Sequence, residues 1–198
     1  MKNFFLVIVM SVSLTVHADN NMRAYNKKCS AVIDTILQQA MIHHPYWAEK
    51  MDDETIKCGF MTYHQAFASK VKHKVTYEEF QRRLVHAKRY ILADHQLLAL
   101  GLGNERLERY WDCKTPEEAY PEGDRPRKEV DINAIYSLMK TEKPVSPILL
   151  GRIEYIDGFQ QIIVLDGSHR IAAAHLINTP IAFFLVDLTE SKKRSNAK

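Results

Sequence analysis

Short apolar runs in the second half of the chain predict strands on either side of a helix. Runs rich in β-branched residues predict three strands, at Ile148–Arg152, Ile162–Leu165 and Ile181–Val186. Between the last two, Gly167 supplies a turn that a residue with a Cβ would enter only with strain, and Ser168 is a favourable helix cap. Small and apolar residues then continue until Asn178 and Pro180, which predict the end of the helix.

Helical spacing of apolar residues marks two further segments. One helix is predicted from Ser30 to about His44-Pro45, because apolar positions recur there every three or four residues. Another short helix is predicted over Ile132–Lys140. It follows a charged, proline-containing loop, Pro121–Asp131.

Two capping boxes predict helix starts in the first half. Thr62 with Gln65 predicts one start, and Thr76 with Glu79 predicts the start of a longer helix that continues to Leu97. This longer helix is predicted to pass through Phe80, Leu84, Tyr90 and Ile91 and to end at Gly101 and Gly103. The first half is therefore expected to be mostly helical.

Helices followed by a strand–helix–strand unit indicate an α+β fold. We expect a helical N-terminal lobe at residues 19–115 and a small mixed α/β domain at residues 116–188, followed by a basic, disordered tail at residues 189–198. Residues 1–18 have the pattern of a signal peptide, in which Lys2 precedes an uncharged run and Val16-His17-Ala18 places small residues at a cleavage site. Cleavage after Ala18 predicts a periplasmic or secreted protein with no membrane segment after removal of the signal.

The charge balance argues against nucleic acid as a partner. Of 27 basic side chains, five lie in the signal segment or in the last eight residues, so the body of the chain carries 22 basic against 24 acidic groups. A nucleic-acid-binding face would require a clear excess of basic residues. Basic residues on the helical segment Gln81–Arg89 are interpreted as a solvated face, and a nucleic-acid ridge is the minority alternative.

The three cysteines would enter an oxidising compartment after export. A bridge from Cys29 to Cys58 is plausible and would leave Cys113 single, but the pairing stays open. None lies in a CxxC or CxH pair, which argues against zinc. Adjacent His43 and His44 point about 100 degrees apart on a helix and are interpreted as a polar helix end rather than a metal pair.

The sequence Asp166-Gly-Ser-His-Arg170 is the strongest chemical signal. A strand, a tight turn and a helix start place backbone N–H groups and the positive end of the helix dipole toward an anion. Arg170 would add positive charge beside them. Asp166 could hold Mg²⁺ or accept a proton, and its alternative role is an Asx turn that stabilises the bend. His169 is expected to face the ligand, and its alternative is to fold back onto the sheet, whereas His175 is interpreted as a helix-face residue.

Two segments together resemble the ParB N-terminal and sulfiredoxin-like domain: "RPRKEVDINAIYSLMKTEKPVSPILLG" and "IIVLDGSHRIAAAHLINTPIAFFLVDL". They show the Pro-Arg loop, the helix, the "PI" strand, the Gly-x-x-Arg turn and the Ala-Ala helix of that superfamily. The resemblance covers about Pro116 to Leu188. It is closest to the branch with an Asp-Gly-x-His-Arg turn, which includes free-serine kinases that use a nucleotide as phosphate donor.

The resemblance implies that the Gly-x-x-Arg turn binds nucleotide phosphates, through Gly167, Ser168, His169 and Arg170. It also implies that Arg127 of the Pro-Arg loop faces the same pocket. Sulfiredoxins carry a cysteine at the position of Ser168, and a serine hydroxyl cannot replace a thiolate in that chemistry.

Three functions follow as hypotheses. The first is an enzyme that binds a nucleotide or another phosphorylated small molecule, with Asp166 and Mg²⁺ assisting phosphoryl transfer or hydrolysis. The second is a non-catalytic module in which the same turn captures a ligand and the helical lobe contacts a protein partner. The third is a nuclease, which is less favoured because the sequence offers no second convergent cluster of carboxylates or histidines.

Overall fold

A four-stranded mixed sheet forms the centre of the fold, which is α+β as predicted. The structure is a computed structural model, and it describes residues 31–38, 46–93, 96–97, 100, 102, 133, 135–141 and 144–189. The strands are β1 (Lys88–Leu92), β2 (Ile148–Glu154), β3 (Gln160–Asp166) and β4 (Ile181–Asp187), in the spatial order β1-β4-β2-β3. Strand β2 is parallel to β4, and the β1/β4 and β2/β3 pairs are antiparallel.

Helices cover both faces of this sheet. They are α1 (residues 31–38), α2 (Asp53–Thr62, continued by a π-helix at Tyr63–Phe67), α3 (Tyr77–Leu84), α4 (within residues 133–140) and α5 (Ser168–Leu176). One face packs Ile148 and Leu150 against α1, α4 and α5, and the other packs Leu149 and Ile153 against Tyr63 and α3. Because the first four residues of β2 are buried on both faces of the sheet, Ile148–Gly151 form a continuous apolar run rather than an alternating one.

The predicted long helix from Thr76 to Leu97 is wrong in its second half. Thr76 does cap a helix, since its Oγ1 accepts from the Glu79 N–H at 3.3 Å. The helix ends at Leu84, however, and Lys88–Leu92 form the edge strand β1. Pairing with β4, from Lys88 opposite Leu185 to Leu92 opposite Ile181, supplies the backbone partners that a helix would otherwise have supplied.

The predicted helix start at Thr62 is also wrong. Thr62 has helical backbone angles and makes no capping hydrogen bond, because it lies at the end of α2. The start is Asp52, whose side chain accepts from the Thr55 N–H at 2.7 Å. Gly59 allows α2 to lie close to the sheet, because a Cβ at this position would stand 2.6 Å from the Leu149 Cδ2 atom.

The remaining predicted elements are confirmed where the structure describes them. The strands at 148–152, 162–165 and 181–186 are present and slightly longer than predicted. Residues 31–38 and 135–140 are helical, and α5 ends before Asn178, which has a positive φ of 49°. None of the helices in the described ranges combines the length and apolar character needed to cross a membrane.

Several predictions fall on residues that the structure does not describe. The signal segment, His43 and His44, the loop Pro121–Asp131 with Arg127, and the tail beyond Thr189 lie outside the described residues. The division into lobes at residue 116 stays a prediction. The described sheet nevertheless includes β1, which comes from the segment assigned to the helical lobe, so this part of the first half is not helical.

Candidate functional site

The turn between β3 and α5 is built around Gly167. Its φ of 100° lies in the left-handed region, and a Cβ there would stand 2.5 Å from the Ile148 Cγ2 atom. Both facts confirm the prediction that only glycine suits this turn. The predicted cap at Ser168 is wrong: Gly167 occupies the N-cap position without a side-chain hydrogen bond, and Ser168 is the first residue with helical backbone.

A bulge in β3 lies directly before the turn. Leu150 pairs with Val164 and Leu149 pairs with Asp166, so β3 carries one extra residue, Leu165, at this point. Bulges of this kind bend a strand and change the direction of the next side chain. The bulge therefore helps to set the orientation of Asp166 at the end of β3.

Arg170 is held by three partners from different parts of the fold. Its guanidinium forms an ion pair with Asp166 one turn earlier and donates to the Thr55 Oγ1 at 3.0 Å and the Ser146 carbonyl oxygen at 3.1 Å. Only 12% of its side chain is exposed. Arg170 thus joins α5, α2 and the residues before β2. Its positive charge is matched by Asp166 rather than standing alone beside the helix start.

Asp166 is a partly buried carboxylate, with 27% of its side chain exposed. Burial raises the pKa of Asp166, and the positive charge of Arg170 opposes this only in part. The main contact of Asp166 among the described residues is the ion pair with Arg170, and its role as a metal ligand stays a prediction. Within the described residues, no three His, Cys, Asp or Glu side chains lie together in a way that could hold a metal ion.

The sequence patterns did not predict that α2 and the residues before β2 lie opposite the turn. The Asp52 N–H donates to the Ser146 Oγ at 3.2 Å, and the hydroxyls of Thr55 and Ser146 are also 3.2 Å apart. Desolvation at Asp52 is outweighed by hydrogen bonds from Thr55, so the pKa of Asp52 lies below its ordinary value. The Asp52-x-x-Thr55 spacing was the available signal, since aspartate followed by three helix-compatible residues is a good helix start.

A cavity of about 620 Å³ opens in front of the turn. All five residues of the Asp166–Arg170 segment line it, which brings together the site residues predicted there. Asp52, Glu54, Thr55, Cys58 and Ser146 line the other side, and α4 contributes Ile135 and Leu138. The cavity therefore combines a helix N-terminus, hydroxyl groups and carboxylates around the Arg170 guanidinium.

Cys58 has a free, exposed thiol and lines this cavity. The pairing of Cys29, which the sequence left open, lies outside the described residues. Burial raises the pKa of the Cys58 thiol, and the carboxylates of Asp166 and Glu54 raise it further. A thiol with a raised pKa is mostly protonated at neutral pH and is a poor nucleophile. These surroundings do not favour thiolate chemistry at Cys58.

The stability of the protein is expected to respond to the protonation of Asp166. Its folded-state pKa lies above the ordinary value of 3.8, so the folded state binds this proton more tightly than the unfolded state. The stabilisation from this group is therefore present at low pH and is lost as the pH rises from about 4 through the folded-state pKa. The unfolding free energy of the wild type minus that of Asp166→Asn should fall over this range in urea titrations.

The contribution of Asp52 to stability depends on pH in the opposite direction to that of Asp166. Because its folded-state pKa is lowered, its stabilisation is present above its ordinary pKa and is lost as the pH falls. Asp52 is common to both proteins, so its effect largely cancels in the difference. A difference that rises with pH would contradict the prediction and would show that the charge of Arg170 outweighs burial at Asp166.

The chain matches no family model, no curated protein and no solved structure. The resemblance to the ParB N-terminal and sulfiredoxin-like domain therefore stays a prediction.

Proposed function

We propose that this chain is an exported ParB/sulfiredoxin-like protein that binds a nucleotide or another phosphate ligand at the turn Gly167–Arg170. The observation that carries the proposal is the cavity in front of the turn, which is lined by every residue from Asp166 to Arg170. The first N–H groups of an α-helix have no acceptor within the helix, and they point along its axis toward such a cavity. The hydroxyls of Thr55, Ser146 and Ser168 add neutral hydrogen-bonding groups that suit phosphate oxygens.

The charge of the cavity indicates the form in which a phosphate would bind. Among the described lining residues, the carboxylates of Asp52, Glu54 and Asp166 outnumber the guanidinium of Arg170. A free polyphosphate would be repelled by this excess of negative charge, whereas a divalent cation bound to the phosphates would lower the negative charge of the ligand and would be attracted by the carboxylates. We therefore propose a Mg²⁺ complex of the nucleotide as the ligand, and Asp166 is the residue of the turn that would hold the cation.

Binding is tested by titration calorimetry of the chain from residue 19 with ATP, ADP and CTP, each with and without Mg²⁺. Heat of binding that requires Mg²⁺ is the expected result. Binding of the free nucleotides that Mg²⁺ weakens would contradict the role of the cation. The absence of binding by any of the three nucleotides and by inorganic phosphate would overturn the proposal.

A substitution at Ser168 separates ligand binding from folding. Ser168→Glu places a negative charge in the first turn of α5, where the helix dipole favours it, but it also places that charge in the cavity. The variant should fold normally by circular dichroism and lose at least tenfold in nucleotide affinity. Ser168→Gln is the matched control, because it has a similar size without the charge. Equal losses in both variants would mean that size rather than charge matters.

Catalysis is a separate part of the proposal, because Asp166 already contacts Arg170. This contact favours a binding module unless the ligand rearranges the pair. Incubation with Mg-ATP and candidate hydroxyl acceptors, followed by detection of ADP, tests turnover. ADP production lost in Asp166→Asn would support phosphoryl transfer or hydrolysis, whereas binding that survives this substitution without turnover would support the module.

A further inference from the structure

A second cavity, of about 690 Å³, lies at the opposite end of β2 from the turn. Its floor is the sheet, where Tyr90 of β1, Leu185 of β4 and Arg152 of β2 lie near one another. Helix α1 lies over it through Asp34 and Leu37. The nucleotide cavity is lined instead by the residues before β2 and by the Asp166–Arg170 segment, so the two cavities share none of their described lining residues.

Arg152 has an unusual position for a charged residue. It follows Ile148 and Leu150 on the same face of β2, the face that packs against α1, α4 and α5, and only 21% of its side chain is exposed. The nearest carboxylate oxygen among the described residues, on Asp34, is 3.8 Å away, beyond hydrogen-bond distance. Within the described part of the chain, the Arg152 guanidinium has no hydrogen-bonded acceptor. This guanidinium is partly exposed and lines the cavity, and its planar fork suits a carboxylate.

The neighbouring charges are less available to a ligand than Arg152 is. Arg83 pairs with Glu79 at 2.7 Å and donates to the carbonyl oxygens of Asp187 and Thr189. The Asp187 carboxylate accepts from the Thr189 N–H and hydroxyl. Asp34 is a weak counter-ion because 60% of its side chain is exposed to water.

The rest of the lining is suited to an apolar body. Leu37, Ala87 and Leu185 line the cavity, together with Tyr90, whose ring stacks on Phe183 with centroids 5.4 Å apart. Burial raises the pKa of Tyr90, so its hydroxyl stays protonated and can donate a hydrogen bond. Lys88 at the exposed start of β1 adds positive charge to the lining.

We propose that this cavity binds a small monocarboxylate with an apolar body, such as a branched aliphatic or aromatic acid. The carboxylate pairs with the guanidinium of Arg152, and the hydrocarbon part lies against Leu37 and Leu185. The site is independent of the nucleotide cavity, so neither proposal stands or falls with the other.

Nuclear magnetic resonance titrations of the isotope-labelled chain test the site with acetate, 4-methylpentanoate, phenylacetate and inorganic phosphate as probes. The two larger acids should bind at least tenfold more tightly than acetate, with shifts centred on the amides of Lys88, Tyr90 and Arg152. Shifts centred on Gly167–Arg170 instead, or tighter binding of phosphate than of the larger acids, would overturn the proposal. This mapping uses the wild-type chain and does not depend on any variant folding.

Substitution of Arg152 provides the second test. Arg152→Met should weaken binding of 4-methylpentanoate at least tenfold, and Arg152→Lys should give a smaller loss because it keeps the charge without the fork. Arg82→Met is the matched control, since Arg82 is 73% exposed on α3 and does not line the cavity. Unchanged affinity in a folded Arg152→Met protein would refute the role of Arg152.

Discussion

Gly167→Ala is expected to lower the free energy of unfolding by about 3–5 kcal/mol. Two causes add. An alanine at φ of 100° is strained, and its Cβ would stand 2.5 Å and 2.8 Å from the Cγ2 and Cβ atoms of Ile148. Ile148 is fully buried on β2, so it cannot move aside without disturbing the core. Urea denaturation followed by circular dichroism measures the loss.

Gly158→Ala is the matched control for the backbone part of this effect. Gly158 also has a positive φ, of 87°, but a Cβ there would have no heavy atom within 4 Å. Its substitution should therefore cost only the backbone strain, about 1–2 kcal/mol. If the two substitutions cost the same, the contact with Ile148 does not constrain the turn. The description of Gly167 as sterically required would then be wrong.

Arg170→Met is expected to destabilise the protein by about 3–4 kcal/mol at neutral pH, because it leaves the Asp166 carboxylate largely buried without its partner. The substitution also removes the donor to the Thr55 Oγ1 and the Ser146 carbonyl oxygen. The loss should shrink as the pH falls, since burial favours the protonated carboxyl of Asp166. Thermal and urea unfolding at several pH values test both statements.

Two further variants identify the source of the loss. Arg170→Met combined with Asp166→Leu removes both charges, and this double variant should be more stable than Arg170→Met alone. Arg82→Met removes an arginine that is 73% exposed, and it should change stability by no more than about 0.5 kcal/mol. A folded Arg170→Met protein that loses less than about 1 kcal/mol would show that the ion pair with Asp166 contributes little to the fold.

These results bear on function as well as on stability. Arg170 links the turn to Thr55 and Ser146 through hydrogen bonds that help to order the cavity. The positive charge of the Arg170 guanidinium is neutralised by Asp166. A phosphate ligand must either share Arg170 with Asp166 or displace that carboxylate. This is the physical reason for testing Mg²⁺ together with the nucleotide, because a cation can hold Asp166 while Arg170 turns to the ligand.

Sequence patterns predicted the secondary structure correctly where the conformation depends on a single short segment. The turn at Gly167, the strands on either side of it and the end of α5 at Asn178 were predicted correctly. Thr76 was correctly placed as a cap. In each case the signal is a backbone conformation or a hydrogen bond within a few residues, which the local sequence largely determines.

Sequence patterns predicted the wrong secondary structure where the same residues were compatible with two conformations or two helix starts. The segment Lys88–Leu92 has apolar residues that suit the continuation of a helix, but the available edge of β4 makes it a strand. Thr62 and Gln65 match a capping box, yet Asp52 starts the helix ten residues earlier. Such choices depend on distant partners, and tertiary contacts routinely override local preference.

By itself, the amino-acid sequence determined the α+β class, the strands β2, β3 and β4 and the glycine turn before α5, because periodicity and backbone sterics act over a few residues. Only the tertiary structure decided that Arg170 pairs with Asp166, that Thr55 and Ser146 line the cavity opposite the turn, and that β1 forms one edge of the sheet. Thr55 and Arg170 are 115 positions apart in the chain. Their contact exists because α2 packs closely against β3 and β2, and that packing follows from the burial of the whole sheet rather than from either segment alone.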